Sequence, residues 1–277
     1  MLLNLKKLSD QTDALRKNLS FLEQFGVDAS KVFTRSKVWQ REFTENGVVV
    51  PVYVKVYSYK RHLFQRLWRT GTSRTEARNL LFFSTIGITA PRIIAWGERK
   101  NAIGKIVEDF IITEAVSDTQ TLREFIPAAC PDHSTPEFCK RRDSIVDQLG
   151  RWTNEMHAHN FYHQDLKWRN ILARMNGEAV ELFWIDCPKG DFHSLPFRRK
   201  RGQLKDCATL DKQARLRCTQ EERLRFVAAY LSKPIDAPEV AAFCTEISRY
   251  RQTRFDAEDD RQAIQRKAKR AHATQSK

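Results

Sequence analysis

Residues 47–59, GVVVPVYVKVYSY, constrain this chain more than any other stretch. Val52, Val54 and Val56 alternate with Tyr53, Lys55 and Tyr57, a period of two that only a strand satisfies, with one face apolar and the other carrying a lysine. The preceding KVFTRSKVWQREF is also rich in β-formers, and TENG between them supplies turn residues, so the two runs are expected to pair as an antiparallel hairpin. A helix should follow over SRTEARNLLFFSTIG, with Ser73 and Glu76 at capping-box spacing, Leu80, Leu81 and Phe83 on its apolar side, and Gly87 as its stop. RIIAWGER and EDFIITEAV are candidate strands. Ahead of the hairpin, Leu15, Leu19 and Leu22 fit a peripheral helix within residues 1–30.

Beyond SDTQTLREFIP, residues 117–127, the helical period takes over. Residues 127–137 hold three prolines and read as a loop. Ile145, Leu149, Trp152 and Met156 then mark a helix ending just before NFYHQDL. ILARMNGEAVEL is expected to be a hairpin turning at Asn176 and Gly177, leading into an apolar run that ends at Asp186. Thr219 with Glu222, and the spacing of Val240, Phe243 and Ile247, announce two further helices. His157 is expected to meet the carbonyls at a helix end. The expected fold class is α+β: an N-terminal extension (1–30), a small antiparallel-β lobe with one key helix (31–115), a mainly helical lobe (116–255) and a basic tail (256–277).

A chain of 277 residues can bury a core without staples. No apolar run approaches the roughly 20 residues of a membrane span, and charges interrupt the N-terminal leucines, so no secretory signal is expected. A cytoplasmic protein follows as the expectation. The six cysteines form no C-x-x-C pair, so neither a disulfide framework nor a zinc site is indicated. A net charge of +14 calls for a polyanionic partner. Nucleic acid is not expected, because no basic stretch is interleaved with aromatic side chains.

The chemistry concentrates in FYHQDLKWRNIL, residues 161–172. Phosphoryl transfer needs a carboxylate beside the acceptor hydroxyl, hard oxygen ligands for magnesium and a cation on the phosphates. Asp165 can take the hydroxyl proton, while Asn170 and Asp186 supply the metal ligands. His163 is expected to order the loop. Together with GITAPRIIAWGER, ITEAV, TLREFI, WIDCPKGDF and LRFVAAYL, this pattern resembles the Kdo/WaaP-type lipopolysaccharide kinases, including InaA-like members, of the protein-kinase-like superfamily, over roughly residues 30–232.

The resemblance implies a two-lobed protein-kinase-like fold and ATP with Mg2+ as cofactors. It implies phosphorylation of a heptose or Kdo hydroxyl of the lipopolysaccharide inner core, on the cytoplasmic face of the inner membrane. By position it assigns Lys55 to the α- and β-phosphates and Glu76 as its helix partner, Glu114 and Ala115 to the hinge beside adenine, and Lys167 to the transferring phosphoryl group. Asp206 matches a buried helix aspartate that steadies the catalytic loop. No glycine-rich loop precedes Lys55, so Ser36 and Lys37 are expected to cover the phosphates, and IDCPKG replaces the usual D-F-G. The run Arg198, Arg199, Lys200, Arg201 and the tail are candidates for an anionic membrane surface. The rival readings are a small-molecule or aminoglycoside-type phosphotransferase, a protein kinase, and a non-enzymatic pseudokinase adaptor; the residues do not fix the oligomeric state.

Overall fold

The computed structural model describes residues 5–32, 36–59 and 71–256. They divide into two compact units. One draws on the described residues within 5–128, 163–165 and 169–192, the other on those of 129–162, 166–168 and 193–256.

In the first unit β1 (Ser36–Glu45) and β2 (Val48–Ser58) pair antiparallel around a two-residue turn. Asn46 and Gly47 both have positive φ, 51° and 80°, the conformation that matches the twist of a tight hairpin. β3 (Ile93–Lys100) and β4 (Ile106–Glu114) complete a sheet in the order β1-β2-β4-β3. Val52, Val54 and Val56 lie on its closed face, packed with Leu22, Phe25, Val27, Val32, Phe110 and Ile112. The short 3-10 turns Leu19–Phe25 and Ala29–Lys31 supply that cover.

The expected N-terminal helix through Leu15, Leu19 and Leu22 is broken. α1 spans Leu5–Ala14; the chain then runs beside β3, with Lys17 N–H donating to the Trp96 carbonyl at 2.7 Å and Trp96 N–H to that of Leu15 at 3.1 Å. An otherwise open sheet edge thereby gains partners, which outweighs continuing a helix on leucine spacing alone.

α2 (Thr72–Thr85) lies on the other side of the sheet and begins at Gly71, not at Ser73. The expected capping box is absent. Asp109 meets the amides of the first turn instead, its Oδ2 accepting from Ser73 N–H at 3.3 Å, which frees Glu76 to face β2. The helix buries Leu80, Phe82 and Phe83, so Phe82 replaces the expected Leu81.

β5 (Gln120–Thr121), β7 (Ile171–Asn176) and β8 (Ala179–Trp184) form a second sheet of the same unit, in the order β5-β7-β8. The β7–β8 turn is Gly177–Glu178, one residue later than expected, since Asn176 still pairs with Ala179. β9 (Asp191–Phe192) follows. α3 (Leu122–Ala129) continues through Pro127, so the expected loop is shorter at that end.

The second unit packs α4 (Pro136–Ala158), α5 (Pro196–Arg217), α6 (Gln220–Leu231) and α7 (Pro238–Arg251), with a short β6 (Phe161–Tyr162). Cys207, Ala208, Val227, Tyr230, Val240, Cys244 and Ile247 form its core. Gly150 lets α4 and α6 touch: a Cβ there would stand 2.6 Å from that of Ala229 and 2.7 Å from the Phe226 carbonyl. Thr219 and Glu222 close the expected capping box. Glu222 also receives the buried Arg142 guanidinium at 2.5 and 3.1 Å. The six cysteines are free thiols. The tail from residue 257 lies outside the described residues.

Candidate active site

Lys55 projects from the face of β2 opposite the buried valines. Glu76, one turn into α2, lies 3.3 and 3.4 Å from its ammonium, and Asp186 forms a second, closer ion pair with it. Glu76 is only 4% exposed and also accepts from the Tyr57 hydroxyl at 2.6 Å. Burial by itself would depress the Lys55 ammonium, but the carboxylates of Glu76 and Asp186 outweigh it and hold the pKa above its ordinary value. Burial raises Glu76 in spite of the lysine. It also drives the Tyr57 phenol far upward, so Tyr57 remains a donor at physiological pH.

The end of β8 delivers Asp186. Trp184 N–H donates to the Thr89 carbonyl at 2.9 Å and Ile185 N–H to that of Asn170 at 3.0 Å, fixing the strand end. Asp186 then takes φ 58°, the left-handed region where a side chain other than glycine is held only by its surroundings. Asn170 is buried, and its Nδ2 donates to the Asp165 carbonyl at 2.9 Å. That bond orients the amide and leaves Oδ1, a hard oxygen donor of the kind magnesium takes. The half-buried Asp165 follows Gln164, whose φ is also positive at 66°. His163 is buried and stacked on Phe83, with centroids 6.0 Å apart.

The donor set fits a magnesium–nucleotide. Among the described residues no group of three or more His, Cys, Asp or Glu could hold a metal ion unaided. A cation on Asn170 and Asp186 would complete its shell with phosphate oxygens and water, the usual arrangement for magnesium at phosphates.

Other expected site residues are placed less uniformly. Ser36 pairs with Tyr57 and shares the Lys55 face, but Lys37 pairs with Val56 and lies on the opposite one. Its ammonium rests 4.9 Å above the Trp39 ring, so strand alternation carries it away from Lys55. Ala115 N–H donates to Pro51 and Glu114 N–H to Arg92, each at 2.8 Å, while the Glu114 carboxylate meets Arg92 at 2.7 Å. Both amides are thus committed to backbone pairing. Lys167 is half-buried and belongs to the second unit.

In that unit Asp206 is fully buried on α5, with His157 Nε2 at 3.4 Å. His157 does not cap its helix as expected; its other nitrogen meets the Tyr230 hydroxyl at 3.0 Å. One contributor escaped the sequence reading: Tyr57, which could have been suspected as the next residue on the Lys55 face.

A comparison with curated proteins returns no match. Among solved structures, a chain described as WaaP in complex with acyl carrier protein is similar, at 19% identity and a TM-score of 0.59 over 86% of this chain and 98% of that one. At that identity the likeness concerns the fold, which is the expected kinase-like α+β arrangement. The model of the lipopolysaccharide kinase (Kdo/WaaP) family matches residues 30–230. That span exceeds half of the sequence, and the chain belongs to the Kdo/WaaP family of lipopolysaccharide kinases.

Proposed function

We propose that this chain transfers the γ-phosphoryl group of ATP to a sugar hydroxyl of the lipopolysaccharide inner core, heptose first and Kdo second. The observation that carries this reading is the convergence of Glu76 and Asp186 on the single ammonium of Lys55, in the unit that also holds Asp165 and Asn170. Lys55 is the cation for the α- and β-phosphates, kept in place by Glu76. Asn170 and Asp186 would hold the magnesium, which when bound neutralises charge on the phosphates. Asp165 orients the acceptor hydroxyl and takes its proton, and Lys167 offsets the charge of the transferring group.

The acceptor would sit on a membrane, and among the described residues no helix is long and apolar enough to cross one. The start of α5 suits a peripheral contact with the anionic inner-membrane surface. Leu195 and Phe197 are 47% and 67% exposed. Beside them Lys200 pairs with Glu246 and Arg199 reaches Asn160, whereas Arg198 and Arg201 are exposed to solvent. Apolar tips flanked by guanidiniums match the boundary between acyl chains and anionic headgroups.

The test is transfer of label from radioactive ATP to purified inner-core glycolipid, with free aminoglycosides, small sugars and a peptide as competing acceptors. Labelled glycolipid, located to one sugar by mass spectrometry, is the expected result. Label on a small molecule or peptide alone would replace this reading with a rival phosphotransferase, and nucleotide binding with no transfer would favour an adaptor.

A further inference from the structure

Asn79 is fully buried in the middle of α2, where an apolar residue would ordinarily serve. Its Nδ2 spends both hydrogens on the segment following Asp186, donating to the Cys187 carbonyl at 2.7 Å and to the Gly190 carbonyl at 2.9 Å. Its Oδ1 is held in turn by the adjacent Arg78, whose Nε and Nη2 donate to it at 3.0 and 2.8 Å. The same guanidinium reaches the Gly190 carbonyl at 3.3 Å and Asp191 at 3.5 Å. One side-chain amide therefore clips both ends of the turn Cys187–Gly190, and a neighbouring cation orients the amide.

We infer that Asn79 is a positioning residue for Asp186. Asp186 stands at φ 58°, a conformation retained only when its surroundings over-determine it. On its N-terminal side the end of β8 supplies the anchor; on its C-terminal side the anchor is Asn79. The clip also couples two functions through one helix, since Glu76, three residues earlier on α2, holds Lys55. A shift of α2 would move the phosphate-binding cation and the metal-binding carboxylate together. IDCPKG lacks the phenylalanine that a D-F-G segment offers for packing, and polar bonds to carbonyls do the fastening here. This inference rests on the kinase reading for its consequence, but the clip itself can be measured without turnover.

The experiment compares wild type with Asn79→Asp. That change keeps the shape and the partner for Arg78, but turns a donor into a carboxylate oxygen facing two carbonyl oxygens. Hydrogen–deuterium exchange is followed for peptides covering residues 185–190, and Mn2+ is titrated calorimetrically in the presence of ADP. The variant should exchange at least roughly tenfold faster over 185–190 while β2 and β4 stay protected, and half-saturation by Mn2+ should rise by about tenfold. Binding of ADP without metal should change less than about twofold. Unchanged exchange, or faster exchange with an unaltered Mn2+ titration, would overturn the inference. Should Asn79→Asp fail to fold, Arg78→Gln loosens only the Oδ1 anchor and must shift both readouts in the same direction, by less. If wild type itself binds no Mn2+ with ADP, the kinase reading falls, and the exchange data alone decide whether the clip exists.

Discussion

The Tyr57 hydroxyl donates to Glu76 Oε2 at 2.6 Å, so the carboxylate that holds Lys55 is itself held. Glu76 is buried, and a buried charge is tolerated only with partners on its lone pairs. Lys55→Met removes the cation and leaves Glu76 facing Asp186 without compensation. The expected loss is about 3 kcal/mol of stability, together with phosphoryl transfer. Glu76→Gln keeps an acceptor for Tyr57 and should be milder, and in the double variant most of the stability loss should disappear. A double-mutant cycle by urea denaturation checks this; additive losses would mean that the two groups do not act as a pair.

Asp165 carries a different expectation, because the described contact to Asn170 is made through its backbone carbonyl and not its carboxylate. Asp165→Ala should leave the Asn170 bond in place and nucleotide affinity within about threefold. Turnover should fall by roughly 10²- to 10⁴-fold, the range for a general base. Equilibrium binding of a fluorescent ATP analogue, measured beside single-turnover transfer, separates the two effects.

What the sequence made legible follows from how local each signal is. The β1–β2 hairpin, the lysine on its polar face and the Thr219 cap depend on residues close together in sequence, and periodicity reports such features directly. The place of Asp186 just past a strand end was legible because the strand announced itself. Asn79 and Arg142 were invisible for the opposite reason: a polar residue on a helix reads as solvent-facing until distant partners are known. Those partners are Cys187 and Gly190 for the first and Glu222 for the second. Ser73 is a related case, where a sufficient local motif lost to a contact with Asp109 from a strand, whereas the Lys55–Glu76 pair was expected from the family resemblance and is present.

The α5 start gives a prediction that needs neither nucleotide nor acceptor. Vesicles containing phosphatidylglycerol should sediment the protein, and pure phosphatidylcholine vesicles should not. A cation near such a surface contributes about 1 kcal/mol, so Arg198→Ala with Arg201→Ala should weaken binding by roughly 20- to 30-fold and flatten its salt dependence. Leu195→Ser with Phe197→Ser should weaken it without altering the salt slope. Equal sedimentation of all forms would remove this surface from the proposed function.

The pH dependence of stability should trace to Asp109, which sits beneath the N-terminus of α2. Its Oδ2 accepts from the Tyr59 hydroxyl at 2.9 Å as well as from Ser73 N–H, yet burial lifts the carboxyl from an ordinary 3.8 to about 7. The charged groups around it do not relieve this. Glu98 and Glu108 are acidic, and Arg16, Lys100 and Arg99 are occupied in pairing with them. Between the two pKa values the folded state binds more protons than the unfolded chain. The stabilisation from this group is therefore complete below about pH 4 and is lost as pH rises through 7. Asp109→Asn keeps an acceptor for Tyr59 and Ser73 but cannot ionise, so its urea midpoint should vary less between pH 5 and pH 8 than that of wild type. Because α2 carries both Glu76 and Asn79, the ionised carboxylate should also loosen the helix end that positions them, and the protection of the amides of residues 72–76, corrected for the intrinsic rise of exchange with pH, should fall above pH 7 in wild type only. Equal pH profiles for the two proteins would show that some other group titrates.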